Sequence, residues 1–188
     1  ESSTMPVAEI AAELDYTDAS NFARAFRRET GLSPAAYRQA VELDPTLAWP
    51  YHNLALIYTE RGETDRTASE AAIVLYRQAI ERHQSDRERA LAWNHLGNTY
   101  RTLHRLEDAT KAYRQAIELD PGYTSPWNNL GDVYRDLSYP EDAIDAYRQA
   151  IKLDPDYSWP YQNLGAIYEA RDDYEEALVY YQRAIGKQ

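Results

Sequence analysis

The side chains able to do chemistry are few in kind. Four histidines stand at positions 52, 83, 95 and 104, without the i, i+4 spacing that lets two imidazoles on one helix share a metal ion. His95 and His104 fall on different predicted segments. Carboxylates are plentiful but come as adjacent pairs: Glu107-Asp108, Glu141-Asp142, Asp172-Asp173 and Glu175-Glu176. That is the pattern of solvated helix faces, not of one acid set against one base. Cysteine is absent, which removes thiolate zinc sites, iron–sulfur clusters, cysteine nucleophiles and disulfide frameworks. No glycine loop suited to phosphate is present, and no His-Glu-x-x-His. No set of catalytic roles can be assembled from these residues, so the expectation is no enzyme, no cofactor and no metal. What does recur is a set of polar residues at one fixed interval: Asn94, Asn128 and Gln162; Asn98 and Asp132; Arg101 and Arg135. An amide both donates and accepts, so it can pair with a peptide backbone whatever its side chains. A guanidinium can hold a carboxylate or phosphate bidentately. The alternative for the two arginines is a solvated pairing with Asp132 and Asp136, which is worth little.

The elements that must carry these residues are themselves periodic. AYRQAIELDP at 112–121 returns as AYRQAIKLDP at 146–155 and appears earlier as AYRQAVELDP at 36–45. A second string, WNHLGNTY at 93–100, returns as WNNLGDVY at 127–134 and YQNLGAIY at 161–168, with YHNLALIY at 51–58 as its first copy. The two strings alternate, and both read as helices. Asp44-Pro45, Asp120-Pro121 and Asp154-Pro155 should stop the helices they follow, because proline disfavours helical geometry in the residue before it. Pro50 and Pro160 can open helices, where a missing N–H costs nothing. Gly97, Gly131 and Gly165 sit inside helical patterns, with Ala55 in the equivalent place. Each glycine costs up to ~1 kcal/mol of helix propensity, so close helix packing must be the reason.

Composition agrees. The chain has 188 residues, 17 of them tyrosine and only 7 glycine, with 31 acidic and 20 basic residues for a net charge of −11. It is long enough to bury a core without staples. Its charge repels nucleic acid unless basic residues cluster. No apolar run approaches the ~20 residues of a membrane span, and no signal peptide opens the chain. Together with the missing cysteine this points to the cytoplasm. A start at Glu1 suggests a trimmed piece of something longer, or an engineered chain.

The recurring residues resemble the tetratricopeptide repeat, a unit of two helices. The unit from Ala90 supplies Trp93, Leu96, Gly97, Tyr100, Ala109, Tyr113, Ala116 and Pro121. The unit from Thr124 supplies Trp127, Leu130, Gly131, Tyr134, Ala143, Tyr147, Ala150 and Pro155. The unit from Ser158 supplies Tyr161, Leu164, Gly165, Tyr168, Ala177, Tyr181 and Ala184. The resemblance implies an all-α, right-handed superhelical solenoid of helix hairpins. It has a half repeat at 34–47 and repeats at 48–89, 90–123, 124–157 and 158–188, giving about nine repeat helices. The unit 48–89 is long: its second aromatic, Tyr76, falls five residues late, three further residues follow, and Gln84-Ser85 replaces Asp-Pro. The insertion is either a lengthened helix pair with a polar overhang or a protrusion built on 63–70 and 82–89. At the last repeat no closing helix follows, so Leu178, Tyr181 and Ile185 are expected to stay partly exposed and to drive self-association.

In this family the first helices line a concave face that holds a peptide or partner helix. The positions that point into it carry Asn94, Asn98, Arg101, Asn128, Asp132, Arg135 and Gln162 here, and His52 in the earliest repeat. The next position along each first helix carries Asn53, His95, Asn129 and Asn163, which is similar to the asparagine ladder of some family members. The lysines of chaperone-tail-binding repeats are missing from their places, which excludes that ligand. Trp49 and Trp159 are either partner anchors or packing where the first helices begin.

Upstream of residue 34 the repeat breaks off. Ile10, Ala11, Leu14, Tyr16, Asp18, Phe22, Phe26, Gly31, Pro34 and Tyr37 resemble the second helix-turn-helix of AraC-type transcription factors. Segment 1–33 would share the helix 34–43 with the solenoid. If the resemblance carries its function, Ser20, Asn21 and Arg24 face a major groove and Arg27 and Arg28 lie near phosphates. Otherwise the segment caps the apolar end of the solenoid. The reading is therefore a non-catalytic protein-interaction scaffold, with a fragment of a DNA-binding regulator carrying a repeat sensor, or an engineered scaffold without natural ligand, as alternatives.

Overall fold

In the computed structural model, residues 48–62 and 66–186 are described. They form eight α-helices and, among the described residues, no strand. In chain order these are α1 (Trp49–Gly62), α2 (Arg66–Arg82), α3 (Asp86–Thr102), α4 (Leu106–Leu119), α5 (Thr124–Asp136), α6 (Pro140–Leu153), α7 (Ser158–Glu169) and α8 (Tyr174–Ile185). The eight helices expected for the repeats from residue 48 onward are all present. The chain divides into two compact units, one ending at His104 and one running from Arg105. In the first, α1 packs on α2 and α2 on α3. In the second, α5 pairs with α6 and α7 with α8, while α4 lies on α5 and α6 on α7.

Asp44-Pro45 lies outside the described residues; the other two stops work as the sequence implies. Asp120 and Asp154 end α4 and α6 with extended backbone (φ −137° for both), as a residue before proline should. Each aspartate also closes a local turn, its Oδ1 accepting from the Gly122 amide at 3.1 Å and the Asp156 amide at 3.0 Å. Pro140 stands in the first turn of α6. The tight turns after α3, α5 and α7 run through His104, Ser138 and Asp172, all at φ near +60°. This is the left-handed conformation that few residues other than glycine adopt, with aspartate and histidine among the more tolerant.

Packing explains the glycines. A Cβ on Gly131 would stand 2.6 Å from the Tyr147 ring, and one on Gly165 would stand 2.6 Å from the Tyr181 ring. The ring cannot stay in place beside a Cβ, so glycine in the first helix is the socket for tyrosine in the second. The second helices meet this with small residues: Ala109, Ala112 and Ala116 in α4 and Ala143, Ala146 and Ala150 in α6 are all buried. Tyr76, Tyr113 and Tyr147 are completely buried.

The irregular repeat is absorbed by helix length. α2 and α3 have 17 residues each, against 14 for α6 and 13 for α5. Residues 82–89 are not a protrusion: they are the end of α2, a three-residue link and the start of α3. Ser85 replaces the proline stop by capping α3, its hydroxyl accepting from the Glu88 amide at 3.2 Å. Tyr76, although late in the sequence, still reaches the interior, with its hydroxyl 3.3 Å from Thr59 Oγ1.

Candidate functional site

In the second unit, Asn128, Asp132 and Arg135 lie at i, i+4 and i+7 on α5 and so share one face. Asn128 and Asp132 are buried, while Arg135 is partly exposed. They are joined by a residue from the next first helix. Asn163 on α7 donates through Nδ2 to Asp132 Oδ1 at 3.0 Å and to Asn128 Oδ1 at 3.3 Å, and accepts from Arg135 Nη1 at 3.1 Å. Tyr147 Oη, from the core, donates to the same Asp132 oxygen at 2.7 Å. The buried carboxylate is thereby fixed by two neutral donors. Arg135 Nη2 stands 3.7 Å from Asp132 and 4.0 Å from Asp136, so its pairing with acids is loose and the amide is its nearer partner. Gln162 sits half-buried on α7, next to Asn163.

In the first unit, Asn94, Asn98 and Arg101 follow one another on α3 with the same spacing. Asn94 is buried and the other two are partly exposed. All three have partners of their own.

The first unit also holds an arrangement that spacing along the chain conceals. His52, His83 and His95, which look unrelated in the sequence, meet. His52 Nε2 lies 3.1 Å from His95 Nδ1, and the His52 and His83 ring centroids are 5.6 Å apart. Trp49 packs at 4.9 Å against His83, and Tyr76 at 5.5 Å against His52. His83 Nδ1 faces Glu88 at 3.5 Å. Burial, with the neighbouring imidazoles of His95 and His83 adding to it, holds His52 down at about 3, and burial holds His95 at about 4. His83 is lowered too, chiefly by burial, with Glu88 pulling the other way. The pair is therefore neutral at pH 7. Among the described residues no group of three or more His, Asp or Glu is arranged to hold a metal ion. His104, the fourth histidine, is the left-handed turn residue after α3.

The two units make the same contact with different chemistry. The fifth residue of one repeat touches the sixth of the next: His52 with His95 in one unit, Asn128 with Asn163 in the other. The ladder was legible in the sequence, but its partners were not. A second recurring link also went unnoticed. Arg77, Arg114 and Arg148 donate to Tyr100, Tyr134 and Tyr168 at 2.8, 2.7 and 3.3 Å. The signal was present in the repeated Tyr-Arg-Gln string.

Of the two candidate anchors, Trp49 packs on the histidines, and Trp159 is 59% exposed. On α8, Leu178 and Ile185 are 57% and 69% exposed, and Tyr181 is partly so. Ser20, Asn21, Arg24, Arg27 and Arg28 lie outside the described residues. No described helix is long and apolar enough to cross a membrane.

Family models of the tetratricopeptide repeat match residues 36–67, 90–123 and 124–186, and a helix-turn-helix domain model matches residues 1–40. No curated protein matches the chain. Among solved structures it is similar to MamA, at 24% identity over 98% of this chain and 95% of that one, with a TM-score of 0.67. It is similar to YrrB, a TPR protein with an unusual peptide-binding site, at 20% identity over 98% and 93%, with a TM-score of 0.63. A shorter likeness, 25% identity over 55% of this chain and 82% of the other with a TM-score of 0.53, is to the first TPR of Spaghetti (RPAP3) bound to an HSP90 peptide.

Proposed function

Since the chain belongs to the tetratricopeptide-repeat proteins, with a helix-turn-helix segment of AraC type at its N-terminus, we propose that it is a non-catalytic interaction scaffold that binds an extended peptide or a partner helix. The binding residues are Asn128, Asp132, Arg135 and Gln162 on the first helices of one unit, and Asn94, Asn98 and Arg101 on the first helix α3 of the other. The observation that carries this is the amide–carboxylate–guanidinium stripe of α5, held in register by Asn163 and Tyr147. A fixed set of donors and acceptors loses little freedom on binding, so more of the interaction energy is kept. Peptide-bound and peptide-binding neighbours of the same fold support the reading. Chaperone tails are not the ligand proposed, because the lysines of their clamp are absent. Repeats at 48–89, 90–123, 124–157 and 158–188 behind a segment at 1–33 are its proposed organisation, and its cysteine-free composition supports a cytoplasmic setting.

The test is selection of peptides from a random library on the whole chain, followed by binding of the selected peptides to Arg135→Ala and Gln162→Ala. These side chains are only partly buried, so the melting temperature should hold while affinity falls. Selected peptides that bind both variants unchanged would refute this site.

A second reading rests on the helix-turn-helix match at residues 1–40: a fragment of a DNA-binding regulator whose repeats sense a partner. It expects salt-sensitive DNA binding that Arg24→Ala with Arg27→Ala abolishes. Self-association through Leu178, Tyr181 and Ile185 is proposed alongside, from the exposure of α8. Sedimentation velocity showing a monomer at every concentration would remove it.

A further inference from the structure

We propose a second peptide site, on a different face of α5, for a segment that carries a long cationic side chain beside an apolar residue. α4, α5 and α6 line an open cavity of about 620 Å³, within the range of ordinary ligand pockets. Its walls are apolar: Ile117 from α4, and Trp127 and Leu130 from α5. At 100° per residue, Trp127, Leu130 and Tyr134 lie well round the helix from Asn128, Asp132 and Arg135, so this is not the stripe described above. Its rim is acidic. Glu118, Asp142 and Asp145 stand around it, all exposed, against one lining cation, Arg114. That cation is already engaged, its Nη2 donating to Tyr134 Oη at 2.7 Å. Glu118 takes a bond from Gln115 at 2.7 Å, and Asp145 interacts with Arg148 on its own helix, which leaves Asp142 as the least engaged carboxylate of the rim.

An apolar wall under an anionic rim fits one kind of side chain. Arginine and lysine bury an aliphatic stem and keep a charged head at the edge. A guanidinium over Trp127 gains a cation–π contact as well. The indole N–H of Trp127 is closed off from solvent and donates to nothing in the protein. It is as far out of a peptide's reach as of water's, so it serves as a reporter of the wall and not as a contact. A glutamate-bearing segment, by contrast, meets like charge on entry. The site therefore selects a basic, apolar peptide, and it operates whether or not the α5 stripe binds anything.

The experiment uses the whole chain with ¹⁵N-labelled tryptophan, the Trp127 indole signal being identified by its loss in Trp127→Phe. The probes are the peptide GSLRSLRSG and its counterpart GSLESLESG. The expected result is a saturable shift of the Trp127 signal with the arginine peptide only, weakened about fivefold or more in Asp142→Asn with Asp145→Asn and unchanged in Arg135→Ala. An equal shift with the glutamate peptide, a shift that survives the double substitution, or no shift at all overturns the proposal. So does a shift that follows protein concentration without peptide, which would seat a second copy there. If the double variant melts early, the two peptides on the unaltered chain still decide. Failure here with intact binding at Arg135 leaves the first site standing, and the converse holds.

Discussion

Lowering the pH from 7 to 5 should weaken the unit that holds the histidine pair and spare the other. In the unfolded chain an imidazole titrates near its ordinary 6.5. In the folded unit His52 and His95 stay neutral down to about 3 and about 4. The folded state therefore binds fewer protons at these sites than the unfolded state does, and stability falls as pH falls. The full contribution is present above pH 6.5 and is lost progressively on acidification until the folded values are passed. At pH 5 each unfolded imidazole has gained about 2 kcal/mol from protonation that its folded counterpart forgoes. The pair together takes about 4 kcal/mol, a large part of the 5–15 kcal/mol that holds an ordinary domain. His83, lowered mainly by burial, adds in the same direction. The internal control is sharp, because every histidine lies at or before position 104 and the second unit has none. Native-state hydrogen exchange at pH 7 and 5, corrected for intrinsic rates, reads both at once. Protection at Ala55 and Leu96 should drop while that at Leu164 and Ile167 holds. His52→Asn with His95→Asn, which installs the amide pair used by Asn128 and Asn163, should remove most of the difference. Equal loss of protection in both units, or an unchanged pH response in the double variant, would refute the reasoning.

Four further outcomes test the packing and the caps. Gly131→Ala should destabilise by about 2 kcal/mol despite alanine's better helix propensity, because the Tyr147 ring it meets is completely buried and tied to Asp132. Gly165→Ala should stay within about 1 kcal/mol of neutral, since the Tyr181 ring is partly exposed and can yield; urea denaturation of both variants separates them. Tyr147→Phe leaves a buried carboxylate one donor short and should cost about 1–3 kcal/mol in the same assay. Ser85→Ala removes the cap of α3 and should cost about 1 kcal/mol, with faster exchange at the Glu88 amide as its local signature.

The positions of the helices were written plainly in the chain. Glycine opposite tyrosine, alanine on the facing helix and Asp-Pro at the end act on neighbours within one hairpin, so they repeat along the sequence wherever the hairpin repeats. The late Tyr76 shows how far that logic stretches: the extra residues lengthened helices without moving the ring from the interior. The stripe Asn128, Asp132 and Arg135 was visible for the same reason, since one helix carries it. What joins the stripe was not visible, because Asn163 comes from another helix, 31 residues beyond Asp132. The histidines make the point most clearly. Nothing in the intervals between positions 52, 83 and 95 brings imidazoles together, and an imidazole's proton affinity answers to distance and burial, which only packing between helices sets. The acidic-rimmed cavity is likewise a property of three helices at once. Local, repeated forces left their mark in the order of residues, and the electrostatic character of each site arose where helices distant in sequence came to share an interior.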